Sequence, residues 1–315
     1  MKSHNHYADE VLDRASHLRK DNAWLDAQYH ADHTMVIPVW RSRNLIENGP
    51  EPRGVMLQTA ETRALIEMST TNVLLGVRND VAHFAIDISP LEAHEVNELR
   101  ADGEFVDLRS VGAVLDRTEA SILAYAKGIM HWHSRHMFCG VCGSPTESQE
   151  AGHLRKCLNR DCGAVHFPRT DPAVIMLVED CRDPKRRRCL LARNSRFPSR
   201  MMSTLAGFVD PLESLEETVE REVFEECGIH VTDIEYQASQ PWPFPSSIML
   251  GFRARATSFD IVVDGIEIDE AYWFEAEQLQ TFGEWGDGGD NFSLPRQDSI
   301  ARYLVNDWMT EVLGA

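Results

Sequence analysis

Gly207-Phe-Val-Asp-Pro-Leu-Glu213, seven residues, then Arg221-Glu222-Val223-Phe224-Glu225-Glu226-Cys227-Gly228-Ile229 is the most informative stretch of the chain. It reads as a loop, a helix and a loop. Ser214 followed by Glu217 makes a capping box, Leu215, Val219 and Val223 form one apolar stripe, and Gly228 supplies a left-handed exit. At about 100° per residue, Glu225 and Glu226 lie about −60° and about +40° around the axis from Glu222, so three carboxylates share one face. Without interleaved lysines they repel each other unless divalent cations neutralise them, and oxygen-only ligands favour magnesium or manganese. Taken alone, a glutamate-rich helix also reads as a solvated acidic face.

Around this helix the apolar runs alternate. Ala173 to Glu179 and Cys189 to Arg193 precede it as strands, with the basic turn Lys185-Arg-Arg-Arg188 between them. Ile229 to Ala238 and Ile248 to Ala256 follow as strands, and Asp298 to Val312 closes with an amphipathic helix. The block from residue 168 to 315 is therefore a mixed α/β domain. The basic turn reads as a solvated hairpin tip, with phosphate contact as the other reading. Upstream, Cys139-Gly-Val-Cys142, fourteen residues, and Cys157-Leu-Asn-Arg-Asp-Cys162 give two facing loops whose four thiolates suit tetrahedral zinc. Four sulfurs leave no open coordination position, so the zinc is structural, and residues 126–167 form a zinc ribbon. Residues 1–125 read as a small α+β domain. Its strands are Thr34 to Trp40, Gly54 to Gln58, Val73 to Val77 and Val81 to Ile88, with a tight turn at Asn79-Asp80. A helix spans Thr118 to His133, no catalytic constellation appears, and the scattered histidines read as surface or packed residues.

Composition sets further bounds. With 31 basic against 50 acidic residues among 315, the net charge is −19, which argues against a broad grip on nucleic acid or an anionic membrane. The uncharged run from Tyr236 to Phe252 carries three prolines and falls short of a membrane span, and the first forty residues hold no signal-like apolar core. Seven cysteines, four in metal spacing, fit a reducing compartment, so a cytoplasmic location is expected.

Gly-x5-Glu-x7-Arg-Glu-apolar-x-Glu-Glu-x-Gly-apolar is the Nudix box, and every fixed position is met. By resemblance, residues 168–315 look like a Nudix hydrolase domain, an α/β/α sandwich with a mixed sheet that cleaves a nucleoside diphosphate linked to another group. Ser239-Gln-Pro-Trp-Pro-Phe-Pro-Ser-Ser247 resembles the specificity motif of the NADH pyrophosphatases, which also carry a four-cysteine ribbon before the catalytic domain. The resemblance implies Glu222 and Glu226 as leading metal ligands, Glu225 sharing the cluster, and Glu267 as an additional one. It implies substrate contacts from Gln240, Pro241, Trp242, Pro243, Phe244, Pro245, Ser246 and Ser247, and backbone contacts at Ala206 and Ala301. Phe167 stands where relatives often have tyrosine, and Ser246 replaces a common glutamine.

The activity this implies is metal-assisted hydrolysis of the pyrophosphate of NADH or NAD, giving nicotinamide mononucleotide and AMP, with ADP-ribose as another possible substrate class. Glu225 and Glu267 are the candidates for general base. Removal of an NAD cap from RNA is the nearest rival, since the same bond is cut; it calls for a basic surface, which only Lys185 to Arg188 offers. A non-catalytic protein-binding module would fit only a box that had lost a glutamate. The resemblance further implies a homodimer whose site borrows from both chains, with Phe167 and Phe208 as plates for a base.

Overall fold

The computed structural model describes residues 5–8, 12–99, 103–287, 289 and 291–314. Two compact units divide the chain: Tyr7–Thr170 with Trp242–Ser246, and Asp171–Pro241 with Ser247–Ala315 and Met1–His6.

In the first unit, Met35–Trp40 runs parallel to Val81–Asp87 and antiparallel to Arg43–Glu47, while Asn72–Arg78 closes a hairpin on Val81–Asp87. The expected turn is there: Asn79 and Asp80 both take positive φ, 49° and 61°, the pair a two-residue hairpin of matching twist requires. Alternation assigns the faces. Ile37 and Val39 pack under the helix Arg117–Arg135, while Val36 points to a second cluster with Leu45, Leu65 and Ile86. That helix runs unbroken through the expected 125/126 boundary. Ala126, Ile129, Met130 and Trp132 are buried in the same core as Ile122 and Leu123, because one apolar stripe cannot be divided between two cores. The helix Thr59–Met68 was not announced by the apolar runs; it is bent at Thr62, whose φ is −129°.

The buried histidines of this unit are packed groups. His133 Nε2 donates to Gly152 O at 2.8 Å and its Nδ1 accepts from Arg155 at 3.0 Å, which fixes the neutral tautomer because a guanidinium only donates. His153 Nε2 donates to Leu74 O at 2.8 Å. Burial, the largest influence, lowers both pKa values from 6.5 to about 4. An unfolded chain binds these protons first, so the stability they lend is complete above about pH 6.5 and is lost as pH falls towards about 4. Urea denaturation should show the first unit weaker at pH 5 than at pH 7 by about 2 kcal/mol for each histidine. His133→Gln and His153→Gln together should flatten that slope.

The second unit is the expected sandwich. Asp171–Asp180 lies at its centre, parallel to Ser247–Ala256 and antiparallel to Arg188–Asn194 and Leu205–Phe208. Val174, Met176 and Val178 meet Val219, Val223 and Cys227 of the helix Leu215–Cys227, whereas Ile175 and Leu177 meet Leu304, Val305 and Trp308 of the helix Ile300–Leu313. Both faces of the central strand are thus covered, which is why it reads as a continuous apolar run. Val231–Trp242 is an edge strand, where the missing N–H of Pro241 breaks no ladder.

The basic turn is neither a free tip nor a phosphate grip. Arg187 Nη2 donates to both carboxylate oxygens of Glu179, at 2.9 and 2.7 Å, and its Nη1 reaches Glu311 at 2.7 Å. Arg186 pairs with Glu275, and Arg188 pairs with the buried Asp180. Glu179 and Asp180 are 4% and 3% exposed, and a carboxylate that buried needs a guanidinium partner, so tertiary burial recruited the arginines. Among the described residues no helix is long and apolar enough to cross a membrane.

Candidate active site and zinc centre

The capping box forms as expected: Glu217 N donates to Ser214 Oγ at 3.2 Å and Ser214 N to Glu217 Oε2 at 2.7 Å. At the other end Gly228 takes φ 68° and its N–H bonds Phe224 O. Between these stops the carboxylates separate by environment. Glu226 is 6% exposed with its Oε2 unpartnered, Glu222 is half-buried, and Glu225 is exposed. Burial above all, then the charges of Glu222, Glu267, Asp264 and Glu225, push Glu226 up to about 8. Glu222 is raised too, by burial, against the lowering pull of Arg221. A buried acceptor without a donor, ringed by like charge, has the chemistry that a hard divalent cation would satisfy.

Arg221 organises this cluster, a role that sequence reading left unassigned. Its Nη1 donates to Glu222 Oε1 at 2.8 Å and Glu225 Oε2 at 3.1 Å, its Nε and Nη2 clamp Glu213 at 2.6 and 2.9 Å, and Nη2 also reaches Phe208 O at 3.0 Å. The three glutamates therefore do not repel without relief; one guanidinium ties two of them to the loop before the helix. The Glu-x7-Arg spacing held that signal, since about two turns of helix bring position 221 back over the loop.

Glu267 stands immediately before the strand Ile268–Glu275 on a loop shaped by Asp264, whose carboxylate accepts the N–H groups of Ile266, Glu267 and Ile268. Val262 N bonds Cys227 O at 2.9 Å, which anchors the loop to the end of the helix. Glu267 thus comes close enough to raise both Glu222 and Glu226. Asp264 adds a carboxylate that sequence reading missed; the Asp264-Gly265 turn was its one visible sign.

Ala206 and the 60%-exposed Phe208 lie on the strand Leu205–Phe208, beside this cluster. Between them, a methyl group on Gly207 would stand 1.9 Å from Glu222 Cδ, so glycine is required here by a close approach and not by φ. Ala301 is buried in the first turn of the helix Ile300–Leu313. Gln240 departs from expectation. It is fully buried; its amide donates to Asp298 O at 2.7 Å and His6 O at 3.0 Å, and its Oε1 accepts from Ile300 N at 2.8 Å. The side chain thus caps a helix start, with both amide donors committed inside the fold. Ser247 is buried as well, while Phe167, Trp242, Pro243, Phe244, Pro245 and Ser246 belong to the first unit. Trp242 and Phe244 turn their rings into that unit's core, and Pro241 and Pro245 are the exposed positions of the segment.

The four cysteine sulfurs lie within 4.8 Å of one another, with Cys139–Cys162 at 3.8 Å and Cys142–Cys157 at 3.4 Å. Thiolates about 2.3 Å from a tetrahedral zinc would be about 3.8 Å apart, so the sites match. Each loop closes on a left-handed glycine: Gly143 N bonds Cys139 O at 2.8 Å with φ 75°, and Gly163 N bonds Asn159 O at 2.9 Å with φ 57°. The strands Thr146–Gln149, Leu154–Cys157 and Val165–His166 form the ribbon's sheet.

Residues 169–292 match the NUDIX domain family, residues 134–167 the NADH pyrophosphatase zinc ribbon domain, and residues 33–132 the NADH pyrophosphatase-like rudimentary NUDIX domain. The NAD-capped RNA hydrolase NudC of Mycobacterium tuberculosis is 35% identical over 94% of this chain and 92% of its own length. A human NAD-capped RNA hydrolase is 34% identical over 97% of this chain and 73% of its own length. This chain belongs to the NADH pyrophosphatase branch of the Nudix hydrolases. A Nudix hydrolase from Nitrosomonas europaea of solved structure, 24% identical, covers 50% of this chain and 97% of that one with a TM-score of 0.38.

For this Nudix hydrolase the contact at Gly207 makes a sharp prediction. In Gly207→Ala the new methyl displaces the end of the Glu222 side chain, a flexible group, so the melting temperature should stay within about 3 °C. The displaced carboxylate should lower kcat by about tenfold, measured at saturating substrate and metal.

Proposed function

We propose that this enzyme hydrolyses the pyrophosphate bond of NADH or NAD to nicotinamide mononucleotide, reduced or oxidised, and AMP, using magnesium or manganese held by Glu222, Glu225, Glu226 and Glu267. The observation that carries the reading is the buried, unpartnered Oε2 of Glu226 beside Glu222, whose carboxylate lies close to the Gly207 backbone and accepts from Arg221. When bound, the divalent cations neutralise the pyrophosphate oxygens and lower the pKa of the attacking water. The chain's own residues do the rest. Arg221 holds Glu222 and Glu225 in place, and Asp264 shapes the loop that presents Glu267. Glu225 and Glu267 are exposed, so the carboxylate of either can receive the proton the water loses. A chain of net charge −19 repels a dianionic linkage, which makes the cations the source of the local positive field.

Decapping of NAD-capped RNA is a second reading, favoured by the relatives that carry this activity in their names. The arginines at 186–188 do not supply the basic surface it calls for, since each is paired with a carboxylate. Product analysis with NADH, NAD, ADP-ribose and NAD-capped RNA side by side tests both. Faster release of AMP from NADH supports the first reading, and faster decapping replaces it with the second. A cytoplasmic location and a homodimer complete the proposal; a fully active monomer in equilibrium sedimentation would remove the dimer.

A further inference from the structure

The zinc ribbon carries one polar side chain that the cysteine spacing does not account for. His166 Nε2 lies 3.4 Å from Cys139 Sγ. The same sulfur accepts from Val141 N at 3.4 Å, and Cys142 Sγ accepts from Asn159 Nδ2 at 4.0 Å. Cys139 is 3% exposed, so its sulfur depends on donors from the protein, whereas the exposed Cys142 can also be served by water. A zinc ion held by four thiolates leaves the centre with a net negative charge. A buried sulfur that bears part of it is stabilised by N–H groups aimed at it.

The ribbon's sheet places this imidazole. Val165–His166 pairs antiparallel with Leu154–Cys157, with His166 opposite Arg155 and Val165 opposite Lys156, and Cys157 N bonds Ala164 O at 2.9 Å. Residues directly opposite share a face, and successive residues alternate between faces. Arg155 is 4% exposed and Lys156 is exposed, so His166 lies on the covered face and the 47%-exposed Val165 on the open one. The four cysteine sulfurs form the cluster whose ligand atoms lie within 4.8 Å of one another, and His166 stands outside it. A zinc-bound thiolate only accepts, so the imidazole nitrogen that faces it carries the proton.

We propose that His166 is a positioning residue of the zinc centre, its Nε2–H donating to the Cys139 thiolate and holding that sulfur in its coordinating place. The inference rests on the four cysteines binding zinc. A donor that acts through a ligand changes how tightly the ion is held while the ligating atoms stay the same.

The test uses the full chain with His166→Phe, His166→Asn, His166→Gln and Val165→Ala, measuring zinc affinity and zinc release against a chromophoric chelator. His166→Phe keeps a ring and removes the donor, and should weaken zinc binding by about tenfold. The amide of His166→Gln reaches the place of Nε2 and should restore affinity to within about threefold. The shorter His166→Asn cannot reach it and should lose about as much as His166→Phe, which decides the matter if the phenyl variant does not fold. Val165→Ala, on the open face, should match the unaltered chain. With cobalt in place of zinc, the sulfur charge-transfer bands should keep the intensity of four thiolates in every variant and shift only in the Phe and Asn forms. Unchanged affinity in both of those forms would overturn the proposal, as would equal losses in all three His166 variants, which mark a packing role. A cobalt spectrum of three sulfurs and one nitrogen in the unaltered chain would make His166 a ligand and end the positioning role. If the unaltered chain binds no zinc, the metal centre itself falls, and the role of His166 with it.

Discussion

Glu222→Gln should lower kcat by roughly a hundredfold or more while the fold survives intact. The substitution preserves size, and the new amide oxygen still accepts from Arg221, which lies 2.8 Å from Glu222 Oε1. What disappears is the negative charge that a divalent cation needs. The folded state already disfavours that charge, since burial raises the Glu222 pKa, so its removal should leave the melting temperature unchanged or slightly higher. Loss of rate without loss of stability separates a metal ligand from a packing residue. Near-normal turnover at saturating magnesium would sink the assignment and would shift the metal site towards Glu226, Glu267 and Asp264.

Removal of zinc should have the largest effect on stability. Within residues 134–167 the apolar interior comprises little beyond Leu154 and the sulfurs of Cys139 and Cys157, while Phe138, Val141, Leu158 and Val165 are exposed, so the ribbon cannot hold itself by burial. Structural zinc supplies about 10 to 16 kcal/mol of binding free energy at neutral pH in small zinc-folded peptides, and most of that should be forfeited by the ribbon on chelation. Metal analysis should find about one tightly held zinc per chain. Cys157→Ser should release it and unfold the ribbon, seen as a distinct early thermal transition. Retention of full thermal stability by zinc-free protein would contradict the assignment.

The chemistry of this enzyme was largely legible in the one-dimensional chain, because its key groups lie on local structure. A helix repeats every 3.6 residues, so the spacing of Ser214, Glu217, Val219, Val223, Glu222, Glu226 and Gly228 determined where it starts, which stripe it buries, where it stops and which carboxylates share a face. Cysteine pairs with two and four residues between their members likewise determined a sulfur-ligated zinc, since each loop closes within itself. The fate of individual polar side chains was decided elsewhere. Gln240 looked available for a base, and only the arrival of Asp298, Ile300 and His6 from opposite ends of the sequence committed its amide inside the fold. Lys185 to Arg188 looked like a free basic tip until buried Glu179 and Asp180 drew in the guanidinium groups. Periodicity and loop closure are short-range and can be read along a chain. Burial, and the demand of every buried polar group for a partner, depends on contacts between residues far apart in sequence, so the tertiary structure alone could decide which side chains remain free for chemistry.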